Sequence, residues 1–288
     1  MKHIVFIHGR SQQDYDSLGL KQEWLGALRQ GFEKCGYQWS LADDQIRFPY
    51  YGDTLYEMCK GFSATQVSQI VVRGQIEDDA ERQFASRIII EAVKSIGVTD
   101  EQALAEADNS VGSRGIENWP MTLGFLRVLD KIPGFSSEAI SVFTHDVYMY
   151  LRRDDIAKHI NSGVAQAFQP GIDTIVVAHS LGTIVGYNIL RLLGTEYRIS
   201  HLITLGSPLG LPAIQQALAP LGRRDGITWM NARDEKDLVA LYPLTPAHIS
   251  LQPIENANDV ANATSNHHGI TGYLSDPTVA RWIHDALR

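Results

Sequence analysis

The segment Val176-Val177-Ala178-His179-Ser180-Leu181-Gly182-Thr183 restricts the fold more than any other stretch of the chain. An apolar, β-branched run stops at a small residue, Ala178. A serine follows two positions on, and a helical pattern carrying a second small residue, Gly182, begins at once. A nucleophilic serine needs this arrangement. It stands on a tight strand-to-helix turn with its hydroxyl lifted above the sheet, where neighbouring backbone crowds the positions two before and two after it. A helix N-terminus aimed at the same point favours developing negative charge. The bare small-x-Ser-x-Gly pattern is weak, since a serine N-cap on an ordinary strand–helix turn has the same letters. The strand before it and the helix after it carry the weight. The expectation is an exposed Ser180 hydroxyl.

Short apolar runs recur elsewhere at Ile4–Ile7, Ile46–Tyr51, Thr174–Val177, His201–Leu205, Ile227–Met230 and Ile249–Ile254. Most are apolar throughout rather than alternating, as strands covered on both faces are. Helical patterns lie between them at Leu20–Cys35, Gly182–Leu193, Pro212–Ala219 and Pro277–Leu287. Strand alternating with helix predicts an α/β fold with a mainly parallel sheet of about six strands flanked by helices. One region breaks this rhythm. From about Thr54 to Ile140 helical periodicity dominates, with only Gln69–Val72 resembling a strand. Ile88, Ile89, Ala92, Val93 and Ile96 share a face, and Leu123, Leu126 and Leu129 recur at helical spacing. The pattern predicts a single domain over 1–288 with a helical insertion at about 54–140, placed over the carboxyl ends of the strands, where open α/β sheets bind ligands. Phe62, Trp119, Met121, Leu123 and Phe125 suit the core of that insertion better than an acyl pocket. Asp146–Phe168 reads as one long helix leading into the third strand.

A serine nucleophile needs a base, an acid that orients the base, and donors for the oxyanion. The backbone N–H of Leu181, next after the serine, is one expected oxyanion donor. The other is the N–H of Arg10, in the turn His8-Gly9-Arg10 that ends the first strand. The His8 side chain is expected to be a structural hydrogen-bonder, and His179 is expected to be structural as well. Ten histidines are present; the pair in Asn266-His267-His268-Gly269 lies in a C-terminal loop that can reach back over the sheet edge. Either of the pair fits as the base. The acid is expected in the loop after the fifth run, Arg233-Asp234-Glu235-Lys236-Asp237, between serine and histidine in the chain. Asp237, followed by Leu238-Val239, is the first choice and Asp234 the second. Taken alone, such a cluster reads as a solvated face.

Together these pieces resemble the α/β-hydrolases, more narrowly compact bacterial lipase/esterase-like members. The matching residues are His8-Gly9-Arg10, Ala178-His179-Ser180-Leu181-Gly182, Gly206-Ser207-Pro208, Asp237-Leu238-Val239 and His268-Gly269-Ile270-x-Gly272-Tyr273-Leu274. The insertion matches nothing in that pattern. The resemblance implies a sheet beginning at the oxyanion-loop strand, with Ser180 as nucleophile, Asp237 as acid and His268 rather than His267 as base. It implies hydrolysis of a small-molecule or lipid-like carboxylic ester. Thioesterases, amidases and peptidases share the constellation, and a non-catalytic binding or signalling protein on the same fold is the reading of another class. Ala178 stands where glycine is commoner, and no proline follows Asp237, which keeps Asp234 open.

Composition narrows the rest. The net charge is −8 and no basic run stands out, so nucleic acid is not expected as a partner. Cys35 and Cys59 form no CxxC pair, and no HExxH, GxxxxGK or GxGxxG after a strand occurs, so no metal or cofactor is expected. The start is apolar for only four residues and no stretch approaches the ~20 apolar residues of a membrane span. A cytoplasmic location without a transmembrane segment is the expectation. Asn262-Ala263-Thr264 fits a glycosylation sequon.

Overall fold

The structure is a computed structural model that describes residues 2–9, 17–52, 66, 69–71, 76, 78–107 and 119–288. Arg10, Cys59 and Phe62, singled out above, lie outside the described residues. The chain divides into two compact units, Met1–Leu55 with Ala157–Arg288, and Tyr56–Ile156.

The first unit holds, among the described residues, one six-stranded sheet in the order β2-β1-β3-β4-β5-β6, with every pairing parallel. Its strands are β1 (His3–Ile7), β2 (Ile46–Arg47), β3 (Asp173–His179), β4 (Arg198–Leu205), β5 (Thr228–Ala232) and β6 (Glu255–Ala257). Side chains alternate across the sheet. Ile4, Phe6, Ile175, Val177, Ile203 and Leu205 share one buried core with helices α1 (Ser17–Lys34), α9 (Ile270–Leu274) and α10 (Pro277–Leu287). That core includes Trp24, Leu28, Phe32, Tyr273 and Ile283. On the other face Gly186 of α7 (Leu181–Leu192) lies against Ile7, Val176 and Ala178. Both faces are covered, which is why β1 and β3 read as unbroken apolar runs. Each such buried Ile, Val or Phe contributes about 1.5–3 kcal/mol relative to exposure. A further short helix, α8 (Pro212–Leu218), follows β4.

The register places the strand ends in line. Ile7 pairs with Ala178, His179 with Leu205, Leu205 with Ala232, and Ala232 with Ala257. The turns after β1, β3, β4, β5 and β6 therefore leave one edge of the sheet. From β1 the chain moves outward to β2, then crosses back to β3 on the other side. The strand order therefore reverses between β1 and β3, and the carboxyl ends of strands at such a reversal are where open α/β sheets bind ligands.

The second unit is helical where described: α2 (Asp79–Ser95), α3 (Asp100–Glu106), α4 (Trp119–Leu129) and α5 (Ser137–Arg152), with α6 (Asp154–Ala165) running across the boundary. Ile88, Ile89, Ala92 and Val93 on α2, and Trp119, Leu123, Phe125, Leu126 and Leu129 on α4, are buried. No helix among the described residues is long and apolar enough to cross a membrane.

Four expectations are corrected. Residues 69–71 are helical, not a strand. The long helix expected over Asp146–Phe168 is two, broken at Arg153, whose backbone is extended (φ −105°, ψ 100°). The sixth strand is Glu255–Ala257 rather than Ile249–Ile254. Ile249, Leu251 and Ile254 are buried, but in a loop; Pro253 has no N–H to give a sheet ladder. The second run shortens to two paired residues, Ile46 and Arg47.

Candidate functional site

Ser180 sits between β3 and α7 with φ 56° and ψ −130°, in the left-handed half of backbone space that non-glycine residues rarely enter. Such a conformation costs about 1–3 kcal/mol and persists only where the surroundings fix it. Here they do. The Ser180 N–H donates to the Leu205 carbonyl at 3.1 Å, and its carbonyl accepts from the Thr183 N–H at 2.9 Å and the Thr183 hydroxyl at 2.8 Å. The Ser207 hydroxyl in turn donates to Thr183 Oγ1 at 2.9 Å. Gly182 is obligatory, since a side-chain carbon there would collide with the carbonyl oxygens of Ile7 and His8. The turn is thus wedged against the end of β1, as the crowding argument from the sequence requires.

The hydroxyl is not exposed as expected. Ser180 is only 5% accessible. Gly9 approaches it from β1, so closely that a side-chain carbon on Gly9 would lie 2.8 Å from Ser180 Cβ. The imidazole of His268 covers it from the other side, with Nε2 2.8 Å from Ser180 Oγ. His268 Nδ1 lies 2.7 Å from Asp237 Oδ2. An ionised carboxylate only accepts, so Nδ1 carries the ring proton and Nε2 is left to accept from the serine hydroxyl.

Asp237 is fully buried. Its Oδ1 accepts from the N–H groups of Val239 at 2.8 Å and Ala240 at 3.2 Å. Its Oδ2 accepts from His268 and from the Tyr273 hydroxyl at 2.6 Å. Burial pushes the carboxyl's pKa up, but the facing charge of His268 and the donors His268, Tyr273 and Val239 outweigh it, and the net displacement is downward. The group stays ionised.

The alternates are adjacent but differently engaged. Asp234 accepts from the N–H of Lys236 at 2.7 Å and of Asn262 at 2.8 Å. His267, itself at φ 55°, lies 3.6 Å from Asp234 Oδ2 and donates from Nδ1 to the Asn262 carbonyl at 3.1 Å. His268 is the tail imidazole that reaches Ser180, and Asp237 the acid that reaches His268. Leu181 opens α7, and the first N–H groups of a helix have no intrahelical acceptor. The Arg10 amide lies outside the described residues.

Both histidines expected to be structural have defined tasks. His8 accepts the Tyr51 N–H at Nε2 (3.1 Å), so its proton is on Nδ1, which donates to the Gly9 carbonyl at 2.6 Å; the Tyr51 hydroxyl donates to the His8 carbonyl. Burial lowers its pKa to about 4. His179 donates from Nε2 to the His268 carbonyl at 2.8 Å, holding the backbone of the residue that faces Ser180. Burial, reinforced by the neighbouring charge of His268, lowers its pKa to about 3.

Three residues named from the sequence carry contacts at the site that their local pattern did not predict. Tyr273 touches Asp237. Gly206, at φ 56° after β4, leaves room for His268, because a side-chain carbon there would sit 3.1 Å from its ring. Asn262 organises the loop: its amide donates to the Gly269 carbonyl at 2.8 Å and its Oδ1 accepts from the Thr264 hydroxyl and N–H. That side chain is 2% exposed and fully engaged, so the sequon is closed to a glycan in the folded chain. Among the described residues no cluster of three or more His, Cys, Asp or Glu is placed to hold a metal ion. No protein-family model, no curated protein and no solved structure matches the chain.

Proposed function

We propose that the chain is a serine hydrolase of the α/β-hydrolase type that cleaves a carboxylic ester through an acyl-enzyme on Ser180. The observation that carries this reading is the continuous hydrogen-bonded series from Ser180 Oγ through His268 to the buried Asp237. The sheet edge, the strained serine backbone and the tautomer of His268 all suit the same chemistry.

In the proposed reaction His268 Nε2 takes the Ser180 proton as Oγ bonds to the ester carbonyl carbon. Asp237, ionised and fixed by its other donors, stabilises the imidazolium. The oxyanion is met by the Leu181 amide at the start of α7 and by the amide after Gly9. As the tetrahedral adduct collapses, the C–O bond to the alcohol breaks and His268 returns the proton to the leaving oxygen. Water, deprotonated by His268, then attacks the acyl-enzyme and releases the acid and Ser180. Asp237, held below the ordinary carboxylate range, stays ionised through the cycle.

The test is covalent labelling by a fluorophosphonate together with hydrolysis of p-nitrophenyl esters of graded chain length, against acyl-CoA and peptide substrates. Labelled wild type, unlabelled Ser180→Ala and turnover of the oxygen esters are expected. Turnover of thioesters or peptides alone would move the assignment to those classes. An unlabelled wild type would return it to a binding role.

A further inference from the structure

Asp237 has one donor more than base orientation requires. Tyr273 Oη accepts the Asp234 N–H at 3.1 Å, which commits the hydroxyl proton to its other neighbour, Asp237 Oδ2, at 2.6 Å. That oxygen is the one His268 Nδ1 approaches at 2.7 Å. Tyr273 is buried and lies on α9, one turn after Gly269, so a single short segment delivers both the imidazole and the phenol to the same carboxylate oxygen. Its ring also packs against Gly206, the residue that leaves room for His268.

We propose that Tyr273 is a positioning residue of the Asp237–His268 pair, whose hydroxyl fixes the rotation of the carboxylate and draws charge from the oxygen that faces His268. The inference rests on the hydrolase reading of Ser180. An ionised oxygen shared between two donors holds the imidazolium less strongly than one with a single donor. The shared proton therefore stays on Nδ1, and His268 is free as a base at lower pH than it would be without Tyr273. Burial and the facing charge of Asp237 push the phenol far above its ordinary range, so it donates at every working pH. The other groups around the pair are accounted for. The His179 ring lies tilted against that of His268, centroids 4.7 Å apart, and donates to its carbonyl, while Asp234 and His267 face each other at 3.6 Å. Arg233 is turned to the carbonyls of Ala240 and Leu241.

The test is Tyr273→Phe in the full chain, read two ways. The first is the NMR titration of the His268 ring, which needs no substrate. The second is the pH profile of ester hydrolysis. The His268 titration and the acid limb of kcat/KM are both expected to move to higher pH. At the optimum kcat is expected to fall by a factor of about ten, the worth of one hydrogen bond to a charged group, with KM nearly unchanged. A folded Tyr273→Phe whose His268 titration coincides with wild type overturns the proposal. Should that variant not fold, 3-fluorotyrosine at position 273, a stronger donor of nearly the same shape, is expected to move the titration the opposite way; no movement overturns it equally. If wild type hydrolyses nothing yet the NMR shift appears, the catalytic reading fails while the placement of Tyr273 stands.

Discussion

Two histidines packed beside the site make the fold sensitive to mild acid. His8 and His179 are buried and neutral, with pKa lowered to about 4 and about 3 chiefly by desolvation. In the unfolded chain each returns to about 6.5. A group whose folded pKa is depressed in this way binds more protons unfolded than folded throughout the interval between the two values. Stability then falls as pH drops below about 6.5, and the loss is complete only near the folded values. At pH 5 each folded histidine is still neutral, whereas unfolded it is almost wholly protonated. The linkage integral from pH 7.5 to 5 comes to about 2 kcal/mol per histidine, about 4 kcal/mol for the pair. That is a large part of the ~5–15 kcal/mol a domain has in total. His3 and His201, also lowered by burial, add to the loss with the same sign. Carboxylates contribute little in this window, since ordinary ones titrate lower and Asp237 is displaced further down. The assay is urea unfolding at pH 7.5, 6.5, 5.5 and 5, followed by the fluorescence of the tryptophans of the first unit. The control is His8→Gln with His179→Gln, which keeps an amide donor at each site and removes the titration. Wild type is expected to lose about 4 kcal/mol more than the double variant between the extremes. Equal losses would refute the placement of these two rings as buried and neutral.

The remaining predictions concern the turn and the acid. Gly182→Ala forces a methyl group onto two backbone carbonyls, so it is expected to abolish fluorophosphonate labelling and to lower the thermal midpoint, both measurable on the purified variant. Asp237→Asn is expected to cut ester hydrolysis about 10⁴-fold at unchanged secondary structure, because the amide offers His268 the wrong partner. Asp234→Asn, whose carboxylate holds the Lys236 and Asn262 amides and faces His267, is expected to cost stability and to leave kcat within about tenfold; the reverse ranking of the two variants would reassign the acid.

How much of this was legible in the sequence follows from the range of the forces involved. The β3–Ser180–α7 turn was legible because its steric demand is local: Gly182 must be small whatever the rest of the chain does. The parallel sheet was legible because strands buried on both faces leave unbroken apolar runs. β6 was not, because a three-residue edge strand has no period, and the nearby apolar run is buried by loop packing instead. The break at Arg153 was hidden because the apolar stripe continues across it. The signal lay in the charges, Arg152-Arg153 followed by Asp154-Asp155, basic at one helix end and acidic at the next start. The contact of Tyr273 with Asp237 spans 36 positions, and no local pattern carries it.

The ambiguity between two acids and two imidazoles has a structural cause. Both pairs are used, for different ends. Asp234 accepts the Asn262 amide, and its own N–H donates to Tyr273, so it ties the loop after β5 to the loop after β6. The Arg233 N–H donates to the Ala257 carbonyl and the Val260 N–H to the Arg233 carbonyl, which extends the tie. His267 takes up a left-handed backbone that turns the chain so that the next side chain, His268, faces back over the sheet edge. Asp237 and His268 are then presented to each other by loops already fastened, and little rotamer freedom is left to lose when they meet. Preorganisation of this kind is what electrostatic stabilisation requires, since dipoles already in place need not reorganise as charge develops. The neighbouring Asp–His pair is therefore the frame that holds Asp237 and His268, and the two pairs share residue types because both arrangements call for a carboxylate that accepts from the opposite loop.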